Sequence, residues 1–297
     1  MDRKKRILFC NESSLVKSGF GKYGYEVLKR LHATGKYELA ELATYGRAGD
    51  PRAEELPWAW FANMPAEGTP EWDGYQQHPA YQFGKFRFER TLIEFKPDIV
   101  VDIRDYWMQA FERESPFRRF FHWALMPTVD SEPQRDEWIE VFMNADGVLS
   151  YSEWGGEVLK KQSAGKINYC GTASPGADID VYKPPADKAG HKQAVGLLPG
   201  SKIIGTIMRN QKRKLYPDLM QSFRMFLDQC ENNGKKELAS QTFLYLHTSY
   251  PDLGWDLPYL LREHGIANKT LFSYICRNCG KFMPSFFQGS VIDCPFC

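Results

Sequence analysis

The 297-residue sequence predicts an α/β fold: two Rossmann-like domains with parallel sheets, the second of them incomplete. Two observations carry this expectation. Short apolar runs alternate with amphipathic helical patterns along nearly the whole chain, the pattern of a parallel sheet with crossover helices. A stretch of linker composition, Lys183-Pro184-Pro185-Ala186-Asp187-Lys188-Ala189-Gly190, divides that alternation in two. In the first part strands are expected at Arg6–Cys10, Tyr37–Thr44, Asp98–Ile103, Phe121–Pro127, Gly147–Tyr151 and Ile167–Cys170. Between them lie helical patterns at Gly21–Ala33, Tyr81–Phe95, Pro133–Asn144 and Glu153–Gln162. The third follows Asp130 and Ser131 and opens on proline, whose fixed φ and missing N–H suit a first helical turn. Gly46–Gln77, rich in Pro, Gly, Trp and Glu, reads as a long surface excursion of the kind that often carries binding residues. After the linker come strand Lys202–Met208, helix Pro217–Cys230, strand Thr242–His247, helix Leu257–His264 and strand Thr270–Tyr274. Trp255-Asp256-Leu257-Pro258 reads as a helix start with a capping aspartate and a first-turn proline. Three strands make a thin sheet with an unpaired edge. A missing segment or a partner chain is therefore expected to complete this domain.

Composition bounds the function classes. Hydrophobic residues make up 43% and charged residues 25%, the balance of a globular protein. The net charge of +1, from 38 basic and 37 acidic residues, supplies no global field to attract nucleic acid or an anionic membrane. The basic start, Asp2 to Arg6, runs straight into Ile7-Leu8-Phe9-Cys10, without the apolar length or cleavage site of a signal peptide. No run approaches the ~20 apolar residues of a spanning helix. The expectation is a soluble, cytoplasmic protein with no membrane span. Aromatics at 14%, with eight tryptophans, point to clefts or stacking surfaces as well as core.

Of the seven cysteines, Cys10, Cys170 and Cys230 are scattered, as small buried hydrophobes often are. The other four form Cys276-Arg-Asn-Cys279 and Cys294-Pro-Phe-Cys297, with 14 residues between the pairs. Each CxxC turn sets two thiolates on one side of a tight loop, and two such turns supply the tetrahedral set of a structural Zn²⁺. Gly280 suits the positive backbone angle common after such a turn. A zinc ribbon over 275–297, ligated by Cys276, Cys279, Cys294 and Cys297, is the expectation; redox dithiols or incidental cysteines are the alternative. Four thiolates close the coordination sphere, so the expected role is structural. Arg277, Lys281, Phe282, Phe286 and Phe287 lie within it, too few cations to make nucleic acid the expected partner.

Ser18-Gly19-Phe20-Gly21-Lys22-Tyr23-Gly24 carries a GxGxxG pattern between a strand and a helix. Bare backbone amides and a helix N-terminus there could receive a phosphate. Eight residues, Asn11–Ser18, separate this glycine run from the expected strand, whereas a dinucleotide fingerprint begins at the strand's end. A dinucleotide enzyme is thus the weaker reading.

The opening strand, the Asn11–Gly24 loop and the following helix resemble the start of the retaining, nucleotide-sugar-dependent glycosyltransferases of family 4. Met126–Pro133 resembles that family's strand-end loop before a helix, and Ala145–Glu153 its aspartate, strand, serine segment. Ser174–Pro184 is similar to the family's interdomain linker, departing from it at Pro175, Ala177 and Tyr182. Gly205-Thr206-Ile207-Met208-Arg209, followed by Lys214, matches the spacing of the family's donor-phosphate arginine and lysine. The resemblance spans essentially the whole chain and implies an N-terminal acceptor-side domain over 1–185. It also implies a partial nucleotide-sugar domain over 186–274, with Gly19, Gly21, Arg209 and Lys214 as donor-binding residues. By the same analogy Asp105 and Asp130 are candidates for orienting the acceptor or removing its proton; helix capping is the competing reading for each. Independently of the family, both cations fall between an expected strand and helix, at the ligand end of such a sheet. There they would stabilise the charge of a diphosphate leaving group; a solvated basic loop is the plain alternative.

The family's second domain also carries a glycine-rich loop with two glutamates seven residues apart, and no such segment occurs between Ser201 and Cys297. Two functions follow as expectations: transfer of a sugar from a nucleotide-sugar to an acceptor with retention, or a catalytically incompetent binding module that docks a partner chain through its ribbon. Asp102–Trp107 is expected to place its polar groups at the cleft mouth. His122 is expected in the core, and His247–Tyr250 near the cleft.

Overall fold

A computed structural model describes residues 3–297; Met1 and Asp2, the latter the first residue of the basic start, lie outside them. The chain divides into two compact units at Ala177/Asp178. In the first, β1 (Lys5–Glu12), α1 (Gly19–Ala33), β2 (Tyr37–Arg47), β3 (Ala59–Met64), α2 (Pro70–Gln76), α3 (Phe86–Phe95), β4 (Ile99–Asp102) and α4 (Tyr106–Gln109) come first. They are followed by β5 (His122–Leu125), α5 (Asp136–Met143), β6 (Gly147–Ser150), α6 (Glu153–Gln162) and β7 (Tyr169–Thr172). The seven strands form one parallel sheet in the order β3-β2-β1-β4-β5-β6-β7.

The apolar run Ile7-Leu8-Phe9-Cys10 shows why β1 is central. Side chains alternate across a strand, so Leu8 and Cys10 enter the core on one face with Val100, Trp123 and Leu125. Ile7 and Phe9 enter the other with Leu28 and Leu39. A strand buried on both faces reads as continuous hydrophobicity.

Two stretches depart from the sequence pattern. Gly46–Gln77 is no bare excursion, because Ala59–Met64 pairs in parallel with β2 and becomes an edge of the sheet. An edge strand is half-solvated, and its apolar signal is correspondingly weak. The expected helix Tyr81–Phe95 is broken at Gly84, whose φ of 120° no helix accommodates; a π-helical turn at Tyr81–Lys85 precedes α3. His122 is exposed at the start of β5 and not packed in the core.

The second unit holds α7 (Lys188–Ala194), β8 (Lys202–Ile207), α8 (Tyr216–Asn232), α9 (Lys236–Gln241), β9 (Thr242–His247), α10 (Leu257–Glu263), β10 (Thr270–Ile275) and β11 (Phe282–Phe286). Part of the expected linker is therefore helical. Sheet order is β11-β10-β9-β8, with β8, β9 and β10 parallel. The expected open edge at β10 is covered. The chain turns back after Cys276 and lays β11, which lies between the two cysteine pairs, antiparallel along β10. Tyr216, Met220, Phe223 and Leu227 of α8 and Leu257, Leu260 and Leu261 of α10 pack with Leu244, Leu246 and Phe272 of the sheet. Asp256 caps α10 as expected, accepting from Tyr259 N at 3.0 Å, with proline in the first turn. No described helix is long and apolar enough to cross a membrane.

Candidate functional site

The strand order of the first sheet reverses direction between β1 and β4, and in open α/β sheets ligands settle at the carboxyl ends beside such a switch. Topology brings the candidate groups of the first unit to that end. Gly19 and Gly21 open α1 directly after β1; Asp105 follows β4; Asp130 lies in the loop after β5, and β1, β4 and β5 are neighbours. Ser18 caps α1, its hydroxyl accepting from Gly21 N at 3.0 Å.

The three glycines differ in what they do. A Cβ on Gly21 would lie 2.6 Å from the carbonyl oxygens of both Ser13 and Val16, so the helix can meet its own loop only without a side chain. A Cβ on Gly24 would collide with the amide of Asn11, which donates to Phe20 O at 2.8 Å. A Cβ on Gly19 would meet nothing within 4 Å. Packing thus accounts for Gly21 and Gly24, and Gly19 leaves the mouth of the helix open. Asp105 is half-buried at the N-cap position of α4 without making the capping bond. Asp130 is exposed and caps no helix, since Arg135 precedes α5.

Glu41, in the middle of β2, was missed by sequence reasoning. Its carboxylate accepts from Ser14 N at 2.6 Å, Ser14 Oγ at 2.7 Å and Trp58 Nε1 at 3.1 Å, which pins the β1–α1 loop. Burial raises its pKa, and the bonds from Ser14 and Trp58 oppose that rise. An acid within the apolar run Leu39-Ala-Glu-Leu-Ala was the signal that could have found it.

Asp102 and Arg104 do not sit at a cleft mouth; both are fully buried, with Arg104 turned inward onto Asp102, Thr44 and Phe83. Arg104 Nε donates to both Asp102 oxygens, at 3.0 and 3.1 Å. Its Nη1 donates to Thr44 Oγ1 at 2.7 Å and Phe83 O at 2.6 Å. Glu112, also buried, lies 3.9 Å from Arg104 Nη2 and accepts from Trp123 Nε1 at 2.5 Å. Burial and then the charge of Asp102 push the Glu112 carboxyl well above its ordinary pKa, partly offset by Arg104. Burial likewise pushes up the thiol of Cys10, with Glu112 and Asp102 adding to it. Gln109 Nε2 donates to Arg104 O at 2.7 Å, so this node fixes the loop on which Asp105 stands.

In the second unit Arg209 follows β8, and Lys214 lies in the 3₁₀ turn Lys212–Lys214 before α8. Arg209 Nε and Nη2 grip Asp252, in the β9–α10 loop, at 2.8 and 3.0 Å. The guanidinium side chain is 60% exposed, and its Nη1 carries no hydrogen bond among the described residues. Arg209 first, then Ser249 and the Leu253 amide, hold Asp252 well below the usual carboxylate range. Buried Asn210 ties the same two loops, accepting from Trp255 N and donating to Trp255 O, both at 2.9 Å. The Lys212 ammonium lies 4.1 Å from the centre of the Trp255 ring. His247 is exposed, and its Nδ1 lies 2.7 Å from Ser273 Oγ.

The four terminal cysteines converge, with all sulfurs within 4.8 Å of one another. Cys276 Sγ lies 3.5 Å from Cys297 Sγ, and Cys279 Sγ 3.7 Å from Cys294 Sγ. A regular tetrahedron with ~2.3 Å metal–sulfur bonds has edges of about 3.8 Å, so the four thiols fit a metal ion. Backbone N–H groups of Asn278 and Cys279 point at Cys276 Sγ, and that of Phe296 at Cys294 Sγ, all within 3.4 Å. The two backbone donors lower the Cys276 pKa to about 6, whereas at Cys297 the Asn278 amide is outweighed by the sulfurs of Cys276, Cys294 and Cys279, which push the pKa up to about 11, so the thiols share their protons across the cluster. Gly280 has φ 70°, and its N–H closes the first turn on Cys276 O at 3.0 Å.

No protein-family model and no curated protein matches this chain. Solved structures do. Anabaena HepE in complex with UDP-glucose aligns with a TM-score of 0.59 at 15% identity, over 90% of this chain and 68% of that one. The trehalose-6-phosphate synthase OtsA aligns at 0.56 and 13%, over 92% and 75%. UDP-GlcNAc 2-epimerase of Methanocaldococcus jannaschii aligns at 0.51 and 11%, over 91% and 72%. The chain shares their fold. A synthase and an epimerase occur on it, so function must be argued from residues.

Proposed function

We propose that this chain is a nucleotide-sugar-dependent glycosyltransferase that moves a sugar to an acceptor with retention of anomeric configuration. The observation that carries the reading is Arg209: an exposed cation at the carboxyl end of β8, held through Nε and Nη2 by Asp252, with Nη1 making no hydrogen bond among the described residues. That arrangement suits a pyrophosphate, whose charge grows as the sugar departs. Lys214, on the same connection, adds a second cation. The solved structures of this fold with UDP-glucose or UDP bound support that class of donor. Gly19 offers the open N-terminus of α1 to an anionic group, and Asp105 and Asp130 are the groups proposed to orient the acceptor hydroxyl and accept its proton. Retention rests on the family 4 resemblance. Four thiolates in this geometry suit Zn²⁺ in a structural role, and free thiols suit the reducing cytoplasm.

Calorimetric titration of the full chain with UDP, GDP and their sugars tests the donor. Binding of one of them, weakened by Arg209→Ala, is expected; absence of any nucleotide binding refutes the reading. Incubation of the bound sugar nucleotide with and without acceptor separates transfer from epimerisation. The anomeric proton coupling of the product reads retention directly.

A further inference from the structure

We propose that the cysteine ribbon is a positioning element for the Arg209–Asp252 pair, acting through the ring of Phe287. The importance of that pair rests on the donor reading above; the mechanical link does not. β10 runs directly into Cys276, the first cysteine turn reverses the chain, and β11 returns along β10. The residue after β11 is Phe287. Its ring meets Phe272 of β10 edge-on at 5.4 Å between centroids and Tyr250 of the β9–α10 loop edge-on at 5.7 Å. Gln288 N donates to Tyr274 Oη at 3.0 Å, and that hydroxyl donates to Gly289 O at 2.9 Å, which fixes the backbone just past Phe287. The chain then returns to the metal-ligand cluster at Cys294.

Tyr250 stands two residues before Asp252. Asp252 accepts from Ser249 Oγ at 2.5 Å and Leu253 N at 2.8 Å while it holds Arg209. The far end of this loop is tied by Asn210 to Trp255. At the near end Tyr250 leans on Phe287. A cavity of about 580 Å³ lies between the ribbon and the sheet end, lined by Tyr250, Phe272, Tyr274, Phe287 and the cysteine turns. Beside that space the Phe287 ring reaches the loop at Tyr250. A metal that locks Cys276 and Cys279 to Cys294 and Cys297 brackets both ends of the segment holding Phe287. The loop is held, and Asp252 keeps the guanidinium in place.

Hydrogen exchange on the full chain, zinc-loaded and with metal content verified, tests this. Phe287→Ala is expected to speed exchange of the Leu253 and Trp255 amides, bonded to Asp252 Oδ1 and Asn210 Oδ1, at least about tenfold, with Leu244 and Leu246 of β9 unchanged. Phe287→Tyr, which keeps the ring, is expected to restore protection. Unchanged loop amides overturn the proposal, and so does equal loosening of β9, which would make Phe287 a general core residue. If Phe287→Ala fails to fold or to hold zinc, chelation of the unmutated chain decides by the same two criteria. UDP titration is the second arm, with affinity expected to fall about fivefold in Phe287→Ala. If the unmutated chain binds no UDP, the donor reading fails, and the exchange data still judge the positioning role.

Discussion

Gly19 and Gly21 stand two residues apart in one motif, yet alanine should affect them in opposite directions. In Gly21→Ala the new methyl would sit 2.6 Å from two backbone carbonyl oxygens, Ser13 O and Val16 O. A carbon needs roughly 3.4 Å or more from an oxygen, so α1 and its loop must separate by most of an ångström. Ser13 N is bonded to Thr44 O at 2.8 Å, and Ser14 is clamped by buried Glu41, so the loop yields poorly. Overpacking of this kind costs about 1–3 kcal/mol. Alanine's helical advantage over glycine returns at most about 1 kcal/mol. The two ranges together leave Gly21→Ala destabilising by up to about 3 kcal/mol, centred on about 1.5 kcal/mol, a fall in Tm of roughly 3–6 °C at the centre for a unit of this size. Gly19→Ala meets nothing within 4 Å and should be neutral or stabilising by up to about 1 kcal/mol. Urea denaturation of both variants, followed by circular dichroism, measures this. Equal stabilities within about 0.3 kcal/mol would refute the packing argument for Gly21. If Gly19→Ala weakens nucleotide binding while leaving stability intact, the open helix mouth is a ligand site and not a packing accident.

Three further outcomes are expected. Glu112 has a folded-state pKa above its ordinary ~4.3, so the native state holds its proton longer than the unfolded chain does. Its contribution to stability is complete below about pH 4.3 and declines as pH rises toward the raised value, by up to about 1.4 kcal/mol per pH unit. Glu112→Gln removes this titration and should gain on the unmutated chain between pH 5 and 8; parallel urea midpoints across that range would contradict it. Metal analysis should find one zinc per chain, lost in Cys279→Ser. Chelation should lower the melting of the second unit by about 10 °C or more, since a destabilisation of ~2 kcal/mol shifts a small domain about that far; a zinc-free chain of unchanged Tm would show the cluster to be idle. Arg209→Ala should weaken UDP about 10- to 100-fold, the range for one charged hydrogen bond of ~1.5–3 kcal/mol; an unchanged Kd would remove Arg209 from the donor site.

Much of this architecture can be read from the chain alone, because buried parallel strands and amphipathic helices obey local periods. The strand at Thr242–His247 and the capped start of α10 at Asp256 stand where the residues put them. The cysteine spacing was enough to bring four sulfurs into one cluster, since each CxxC turn is a local device. What the chain could not announce depends on distant partners. Ala59–Met64 becomes a strand through pairing with β2, not through its own pattern. Gly21 and Gly24 looked like phosphate-binding glycines, and their necessity comes from carbonyls and an amide across a loop. Asp102 and Arg104 looked like cleft residues at the end of a strand, and only the folded loop reveals them as a buried ion pair beside Glu112. The two CxxC turns determined a cluster of four thiols that could hold a metal, while the tertiary structure decided that the segment between them would close the sheet edge and reach Tyr250. Local spacing fixes backbone periodicity and short-range ligand sets; burial, pairing and charge environment are properties of contacts made across the fold, which no local pattern contains.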